Sequence, residues 1–233
     1  MMLLYKSWLE SRARFLLSFL AIAGLSVVFV FFNHDVRTVV ADHDVTYAEY
    51  IWKGIFKGQL RDIYVVLALL LGMGGLDRER AHGTTGYTLA LPVSRWRLIA
   101  ARGITGIIET TVLSFLPATL VPALSPFAHE SYSWGQAFQF GVLWSIGGVL
   151  IFTLGFLASV LFSGEYAAAV AAMILLFAYS ITTDLPGMER YIIDIHDTMN
   201  GSGPHGFKVL AMLSLTSAAI IGLAGYITTK KDY

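Results

Sequence analysis

Residues 76–103 read LDRERAHGTTGYTLALPVSRWRLIAARG and decide how the rest of the chain is organised. This stretch is rich in arginine and glycine and lies between two long apolar stretches. Residues 77–84 have the polar composition of a helix start, and Ser94 is suited to cap a second helix that begins at Arg95. Pro92 ends whatever precedes it, because proline lacks a backbone N–H and restricts the residue before it. We therefore predict a short helix held between two longer apolar helices.

The composition of the whole chain is too apolar for a water-soluble fold. Hydrophobic residues make up 56% of the 233 residues, charged residues make up 14%, and the mean hydropathy is +0.65. A helix needs about 20 apolar residues to cross the hydrocarbon core of a membrane. Six stretches approach that length and are the predicted spans: residues 15–32, 59–76, 98–121, 139–162, 166–183 and 208–228. We therefore predict an all-α membrane protein that forms a single transmembrane domain over residues 1–233.

The segment before the first span has an apolar face and a charged face at helical spacing. These faces consist of Met1, Leu4, Tyr5 and Trp8 on one side and Lys6, Glu10 and Arg14 on the other. Such a pattern predicts an amphipathic elbow helix over residues 1–14, lying on the membrane surface. The alternative is that these residues are simply the cytoplasmic start of the first span. Residues 15–32 are interpreted as an uncleaved span, because they are too long for the core of a signal peptide.

The distribution of lysine and arginine predicts the orientation of the spans. Basic residues in short loops favour the cytoplasmic side of a membrane. With a cytoplasmic N-terminus, that side holds most of the basic residues, including the arginines of the 77–97 segment. Several basic residues on the other side are offset by nearby carboxylates. Both termini are therefore predicted to be cytoplasmic.

Small residues spaced four apart predict where helices pack closely in lipid. The pairs Gly141 with Ser145 and Gly155 with Ser159 lie on the fourth predicted span. A third stripe on the last span consists of Ser214, Ala218 and Gly222. We expect these faces to contact other helices rather than lipid.

Two segments outside the spans also carry helical signals. Charged residues recur every four positions over residues 49–61, which predicts an amphipathic helix at the outer interface or an extension of the second span. Residues 184–207 combine glycine and proline with an apolar patch, which indicates a short interfacial or re-entrant helix. An ordinary loop resting on the membrane is the alternative for the second segment.

The loop between the second and third spans resembles the ABC-2 type permease family, the transmembrane subunits of ATP-binding cassette transporters. Members of that family carry an acidic and basic pair, then Gly-Thr, apolar positions and Leu-Pro-Val-Ser-Arg at this place. The matching residues here are Glu79, Arg80, Gly83, Thr84, Leu89, Leu91, Pro92, Val93, Ser94 and Arg95. An elbow helix followed by six spans is also the type V exporter-like ABC-2 fold, so the resemblance extends to the architecture of the whole chain.

The resemblance implies that residues 77–97 form a cytoplasmic coupling segment that docks on a separate ATPase subunit. The residues it implicates are Glu79, Arg80, Gly83, Thr84, Tyr87, Thr88, Leu91, Pro92, Ser94 and Arg95. It further implies two copies of the ATPase, a second permease copy or a homologous permease, and surrounding membrane lipid. The alternative is a positively charged anchor with a proline turn.

The sequence gives no reason to expect catalysis or a cofactor on this chain. The nearest resemblance to a phosphate-binding loop, at residues 201–208, lacks lysine directly after its second glycine, so ATP and Mg²⁺ are expected on the partner ATPase. Cysteine is absent and the formal net charge is zero, which excludes thiolate chemistry and gives no pull toward nucleic acid. Five of the 6 histidines fall on the predicted outer side without a metal-binding spacing, so no metal site is expected.

Glu109 lies within the third predicted span, where an unpaired carboxylate in lipid would be costly. We therefore expect it to face protein or water. A residue of the substrate pathway is one interpretation. A structural hydrogen bond or ion pair to a neighbouring helix is the other.

The sequence thus predicts the multi-pass permease subunit of a transporter in a cell membrane, of the bacterial inner or plasma membrane type. Export of an amphipathic substrate is what the family resemblance implies. One alternative is a non-transporting scaffold or immunity protein that binds a peptide or partner. An intramembrane enzyme is disfavoured, because Glu109 alone stands out inside a span.

Overall fold

The computed structural model describes residues 2–32, 45–73, 94–162, 165–183, 193–203 and 205–230. All regular secondary structure in these ranges is helical. The elements in order are α1 Met2–Phe31, α2 Tyr47–Ile51, a π-helical stretch Trp52–Phe56, α3 Gln59–Gly72, α4 Arg95–Leu124, a 3-10 turn Ser125–Ala128, α5 Trp134–Leu161, α6 Glu165–Thr183, α7 Ile195–Asn200 and α8 Phe207–Lys230. The predicted all-α class is therefore confirmed.

Four of the described helices are long and apolar enough to cross a membrane: α1, α4 with its 3-10 turn, α5 and α8. The apolar part of α6, Ala167–Thr183, is shorter. Helix α3 has 14 residues, which at 1.5 Å per residue reaches about 21 Å and falls short of the roughly 30 Å hydrocarbon core. The count of six spans and the cytoplasmic placement of both termini therefore stay predictions.

Residues 2–14 continue directly into the first span instead of forming a separate elbow helix. Helix α1 runs without a break over its 30 residues. No glycine or proline occurs before Gly24, so nothing in the sequence favours ending a helix near residue 14. The prediction of a separate elbow is wrong, and its alternative, an N-terminal extension of the first span, describes the structure.

Helix α5 lies at the centre of the bundle, where it packs against α3, α4, α6, α7 and α8. Glycines allow α3 and α5 to touch through their backbones. A Cβ built on Gly72 would overlap the backbone oxygen of Phe152, and one built on Gly155 would overlap that of Leu69. Tyr64 completes this core, because its ring stacks on Trp144 with 4.9 Å between ring centroids.

The small-residue predictions have mixed outcomes. Gly155 meets α3, and the side chain of Ser145 donates a hydrogen bond to Thr111 on α4 at 3.2 Å. The stripe on α8 makes no such contact, because Ser214 and Ala218 are exposed and a Cβ on Gly222 would meet no atom within 4 Å. Helix α8 packs instead through a different face, which includes Leu213, Ser217, Ala224 and Gly225. The predicted contact of the α8 stripe is therefore not made within the described chain.

The segment before α3 buries its apolar face in the protein and leaves its charged face exposed, and its location relative to the membrane stays a prediction. Ile55 and Phe56 are fully buried, whereas Glu49 and Lys53 form an exposed ion pair of 2.9 Å. The helical run is interrupted at Gly58, where the backbone oxygen of Lys53 approaches too closely for a Cβ. The amphipathic pattern therefore marks a helical layer that covers the end of the bundle at which α3 begins.

Candidate functional site

A cluster of polar side chains joins α1, α3 and α4 at the end of the bundle where α3 finishes. We call this cluster the polar junction. It consists of Glu10, Ser11 and Arg14 of α1, Arg102 and Glu109 of α4, and the backbone oxygen of Met73, which follows α3.

Two arginines from different helices meet at the end of α3. Arg14 donates hydrogen bonds to the backbone oxygens of Leu70, at 3.1 Å, and of Met73. Arg102 donates to the same Met73 oxygen at 3.3 Å. The last carbonyls of a helix have no partner within it and carry a partial negative charge, so guanidinium groups stabilise them. The end of α3 is thereby attached to both α1 and α4.

Glu109 is the buried acid of the polar junction. It is 2% exposed and accepts a hydrogen bond from the hydroxyl of Ser11. Its second carboxylate oxygen has no hydrogen-bond partner within the part of the chain that the structure describes. The other acid, Glu10, lies 3.7 Å from a guanidinium nitrogen of Arg102. Glu10 also pairs with Lys6 at 3.5 Å. The junction thus places acids beside basic groups, which lowers the cost of these charges in an apolar bundle.

The space beside Glu109 is too small for a substrate. A cavity of about 10 Å³ adjoins it. Its lining residues are Ser7, Ser11, Leu71, Arg102, Thr105, Gly106, Glu109 and Phe152. A single water needs roughly this much room. These surroundings favour the structural interpretation of Glu109, a hydrogen bond to a neighbouring helix, over a residue that lines a pathway.

A larger cleft, of about 540 Å³, lies at the opposite end of α3, between α3, α6 and α7. We call it the α7 cleft. Its lining residues are Lys57, Arg61, Asp62, Val65, Val66, Met173, Leu176, Phe177, Ser180, Thr183, Asp194, His196, Asp197 and Asn200. Its volume falls within the range of about 300 to 1,000 Å³ typical of small-molecule sites.

The lining of the α7 cleft is amphipathic along α3. Arg61 and Asp62 in the first turn of α3 form an ion pair of 2.8 Å in this lining. Val65 and Val66 follow one turn further along the helix and face the apolar side chains of α6. Charged groups therefore gather at one end of the cleft and apolar groups at the other. This arrangement suits a molecule with a polar head and an apolar body.

Helix α7 forms one wall of the cleft and is held in place by both polar and apolar contacts. Asp194 caps its start by accepting hydrogen bonds from the backbone N–H groups of His196, at 2.8 Å, and Asp197, at 3.4 Å. Trp52 donates from its indole N–H to the backbone oxygen of Asn200 at 2.9 Å. A Cβ on Gly147 of α5 would overlap the side chain of Met199, so only glycine leaves room for α7 there.

His196 is the titratable group inside this wall. Burial lowers the pKa of its imidazole below the ordinary value of 6.5, and the positive charge of Arg61 lowers it further. The carboxylates of Asp194, Asp62 and Asp197 act in the opposite direction. The neutral form of the imidazole is therefore the favoured one in the folded protein.

Of the predicted coupling residues, the structure describes only the last two, Ser94 and Arg95. Ser94 is the N-cap residue of α4, and Arg95 donates to the backbone oxygen of Thr228 on α8 at 3.5 Å. The others lie outside the described residues: Glu79, Arg80, Gly83, Thr84, Tyr87, Thr88, Leu91 and Pro92. Residues Glu10, Ser11, Arg14 and Arg102 were not singled out as a site from the sequence. The available signal was the position of Arg102 two turns before Glu109, but nothing in the sequence places α1 beside them.

These helices and polar contacts define an all-helical, multi-pass membrane protein. The chain matches the model of the ABC-2 family transporter proteins over residues 31–188, which is more than half of its length. It therefore belongs to the ABC-2 transporter family, and its class is that of an ABC transporter permease, a transmembrane component that partners with an ABC ATPase. No curated protein matches the chain.

Proposed function

We propose that the protein is the permease subunit of an exporter in a bacterial plasma membrane, driven by a separate ATPase. Two permease chains, identical or homologous, would pair with two ATPase subunits that bind ATP and Mg²⁺. The observation that carries this proposal is the family match over residues 31–188, because that range contains the whole predicted coupling segment.

The connection of the coupling segment to the helices supports a mechanical role. The segment leaves α3 near Met73 and enters α4 at Arg95, and both ends are attached to other helices by arginines. Closure of the ATPases on nucleotide would move this segment. The attached helices would then tilt as rigid bodies and change access to the pathway between the permeases.

The α7 cleft supports an amphipathic substrate. Its lining includes the charged residues Lys57, Arg61 and Asp62 together with apolar residues of α3 and α6. Such a lining desolvates the apolar part of a ligand and keeps its head group in contact with charges. We propose that a substrate contacts this cleft during its passage, with α3 and α6 on either side of it.

The direct test is purification of the tagged chain in mild detergent from its native cells. We expect an ATPase to co-purify with the wild type and to be lost from the variant Thr84→Arg, Leu91→Glu. A matched control carries the same kinds of change, Ser131→Arg and Gln136→Glu, at exposed positions near the start of α5, the end opposite to the coupling segment. The control should retain the ATPase.

Two outcomes would contradict the proposal. If no ATPase accompanies the wild-type chain, the scaffold or immunity-protein alternative becomes the better explanation. If the ATPase remains with the coupling variant, the docking surface lies elsewhere on the chain.

A further inference from the structure

We infer that Arg14 and Arg102 are positioning residues that lock the end of α3 to α1 and α4, so that movement of the coupling segment reaches the three helices as one body. This inference rests on the proposed function. In this inference the polar junction transmits movement of the coupling segment to the helices, whereas docking on the ATPase is done by the coupling segment itself.

The first argument is the nature of the atom that the arginines hold. The Met73 oxygen belongs to the backbone at the point where α3 ends. Unlike a side chain, it cannot rotate away when the chain is displaced. Two guanidinium groups that share it therefore follow any displacement of the α3 terminus.

The second argument is that the polar junction closes a loop of contacts among three helices. Arg14 joins α1 to α3, and Arg102 joins α4 to α3. The hydrogen bond from Ser11 to Glu109 and the ion pair between Glu10 and Arg102 join α1 to α4. Because every pair of helices is connected, none can move at this end without breaking a charged contact. Hydrogen bonds that involve charged groups are the stronger ones in proteins.

The third argument is where the junction lies relative to the coupling segment. Arg102 lies about two turns after Ser94, the N-cap residue of α4. The bond from Arg102 to Met73 therefore joins the two helices that flank the segment. A force on the segment would then move α3 and α4 together instead of separating them.

The fourth argument concerns the helix outside the loop of contacts. Among the described helices, α6 packs mainly against α5. It also forms one wall of the α7 cleft, while α3 contributes another. Movement of the locked helices relative to α6 would therefore change the width of the cleft.

The absence of native cysteine makes the inference testable by spin labelling. Cysteines placed at the exposed positions Leu20 on α1, Ile63 on α3 and Ile174 on α6 would carry the labels. The labelled chain is diluted with unlabelled chain and assembled with its ATPase. Distances from α1 to α3 and from α3 to α6 are then measured before and after trapping with ATP and vanadate. In the wild type we expect the first distance to stay constant and the second to change.

The variant Arg14→Gln, Arg102→Gln should retain the ATPase but lose the constant α1 to α3 distance on trapping. We expect the stimulation of ATPase activity by the permease to fall about tenfold, which corresponds to about 1.4 kcal/mol of activation free energy. A variant that carries Arg102→Lys in place of Arg102→Gln keeps a positively charged donor. It should recover part of the ATPase stimulation and part of the constancy of the α1 to α3 distance. Arg12→Gln, at an exposed arginine of α1 that belongs neither to the polar junction nor to the coupling segment, should behave as the wild type.

Three results would overturn the inference. The first is a change of the α1 to α3 distance on trapping in the wild type, a test that requires no junction variant to fold. The second is a Gln variant in which both distances respond to trapping as they do in the wild type. The third is loss of the ATPase from the Gln variant but not from Arg12→Gln, which would make Arg14 and Arg102 docking residues. Failure of the proposed function itself would appear earlier, as the absence of a co-purifying ATPase from the wild type.

Discussion

The hydroxyl of Ser11 on α1 donates a hydrogen bond to the carboxylate of Glu109 on α4, although the two residues lie 98 positions apart in the sequence. The contact satisfies one oxygen of an acid that is buried within an apolar bundle. It also joins the helix that begins the chain to the helix that follows the coupling segment. The contact between Ser11 and Glu109 therefore offsets part of the cost of burying the acid and also connects two helices.

We predict that Ser11→Ala destabilises the protein by about 1 to 3 kcal/mol, because it removes the partner of a buried carboxylate. The loss should appear as a lower midpoint of thermal unfolding in detergent. Ser214→Ala is the matched control, since Ser214 is exposed and bonds only its own helix at Leu210 among the described residues. Combined with Glu109→Gln, the Ser11 change should cost less than it does alone. Additive effects would argue against a direct contact.

We predict that Gly72→Ala and Gly155→Ala each destabilise the bundle by at least about 2 kcal/mol. The added Cβ would overlap a backbone oxygen of the facing helix, and a backbone cannot move aside as a side chain does. Gly222→Ala provides the comparison, because its Cβ would meet nothing within 4 Å. That control should be neutral or stabilising by up to about 1 kcal/mol through helix propensity. Equal effects at all three positions would contradict the close crossing of α3 and α5.

We predict that the protein loses stability as the pH falls below 6.5, the ordinary pKa of histidine, and that His196 contributes to this loss. Burial and Arg61 lower the pKa of His196 in the folded protein, so the unfolded chain binds a proton first. The free energy of unfolding therefore falls on acidification through this range and is fully retained above it. Melting temperatures across the range test this, and His196→Gln should flatten the profile. A variant with an unchanged profile would exclude His196 as the cause.

We predict that Ser202→Cys reacts with a membrane-impermeant maleimide in intact cells, whereas Arg97→Cys reacts only after the membrane is opened. Both positions are exposed, and they lie near opposite ends of the helix bundle. The excess of basic residues on the side of Arg97 favours the cytoplasm for that end. The native chain provides an unlabelled background, since it contains no cysteine. The reverse labelling pattern would invert the predicted topology.

Close helix contacts were predictable only where the sequence restricts the partner face. Gly155 was correctly predicted as a contact, because glycine in an apolar helix permits close backbone approach. The same rule was wrong within the chain for the α8 stripe, since Ser214 and Ala218 face outward. Small size allows a close contact but does not specify on which side a neighbouring helix lies.

The sequence by itself determined that this is a membrane protein, that its fold is helical and which family it belongs to. These follow from properties that are local along the chain, namely hydropathy over about 20 residues and a motif of adjacent positions. Only the tertiary structure decided that Arg14 and Arg102 meet at Met73 and that Glu109 faces Ser11. Those contacts depend on how helices that are distant in sequence rotate and pack against one another. In an apolar bundle many rotations bury similar surface, so a few polar contacts and glycine crossings select among them.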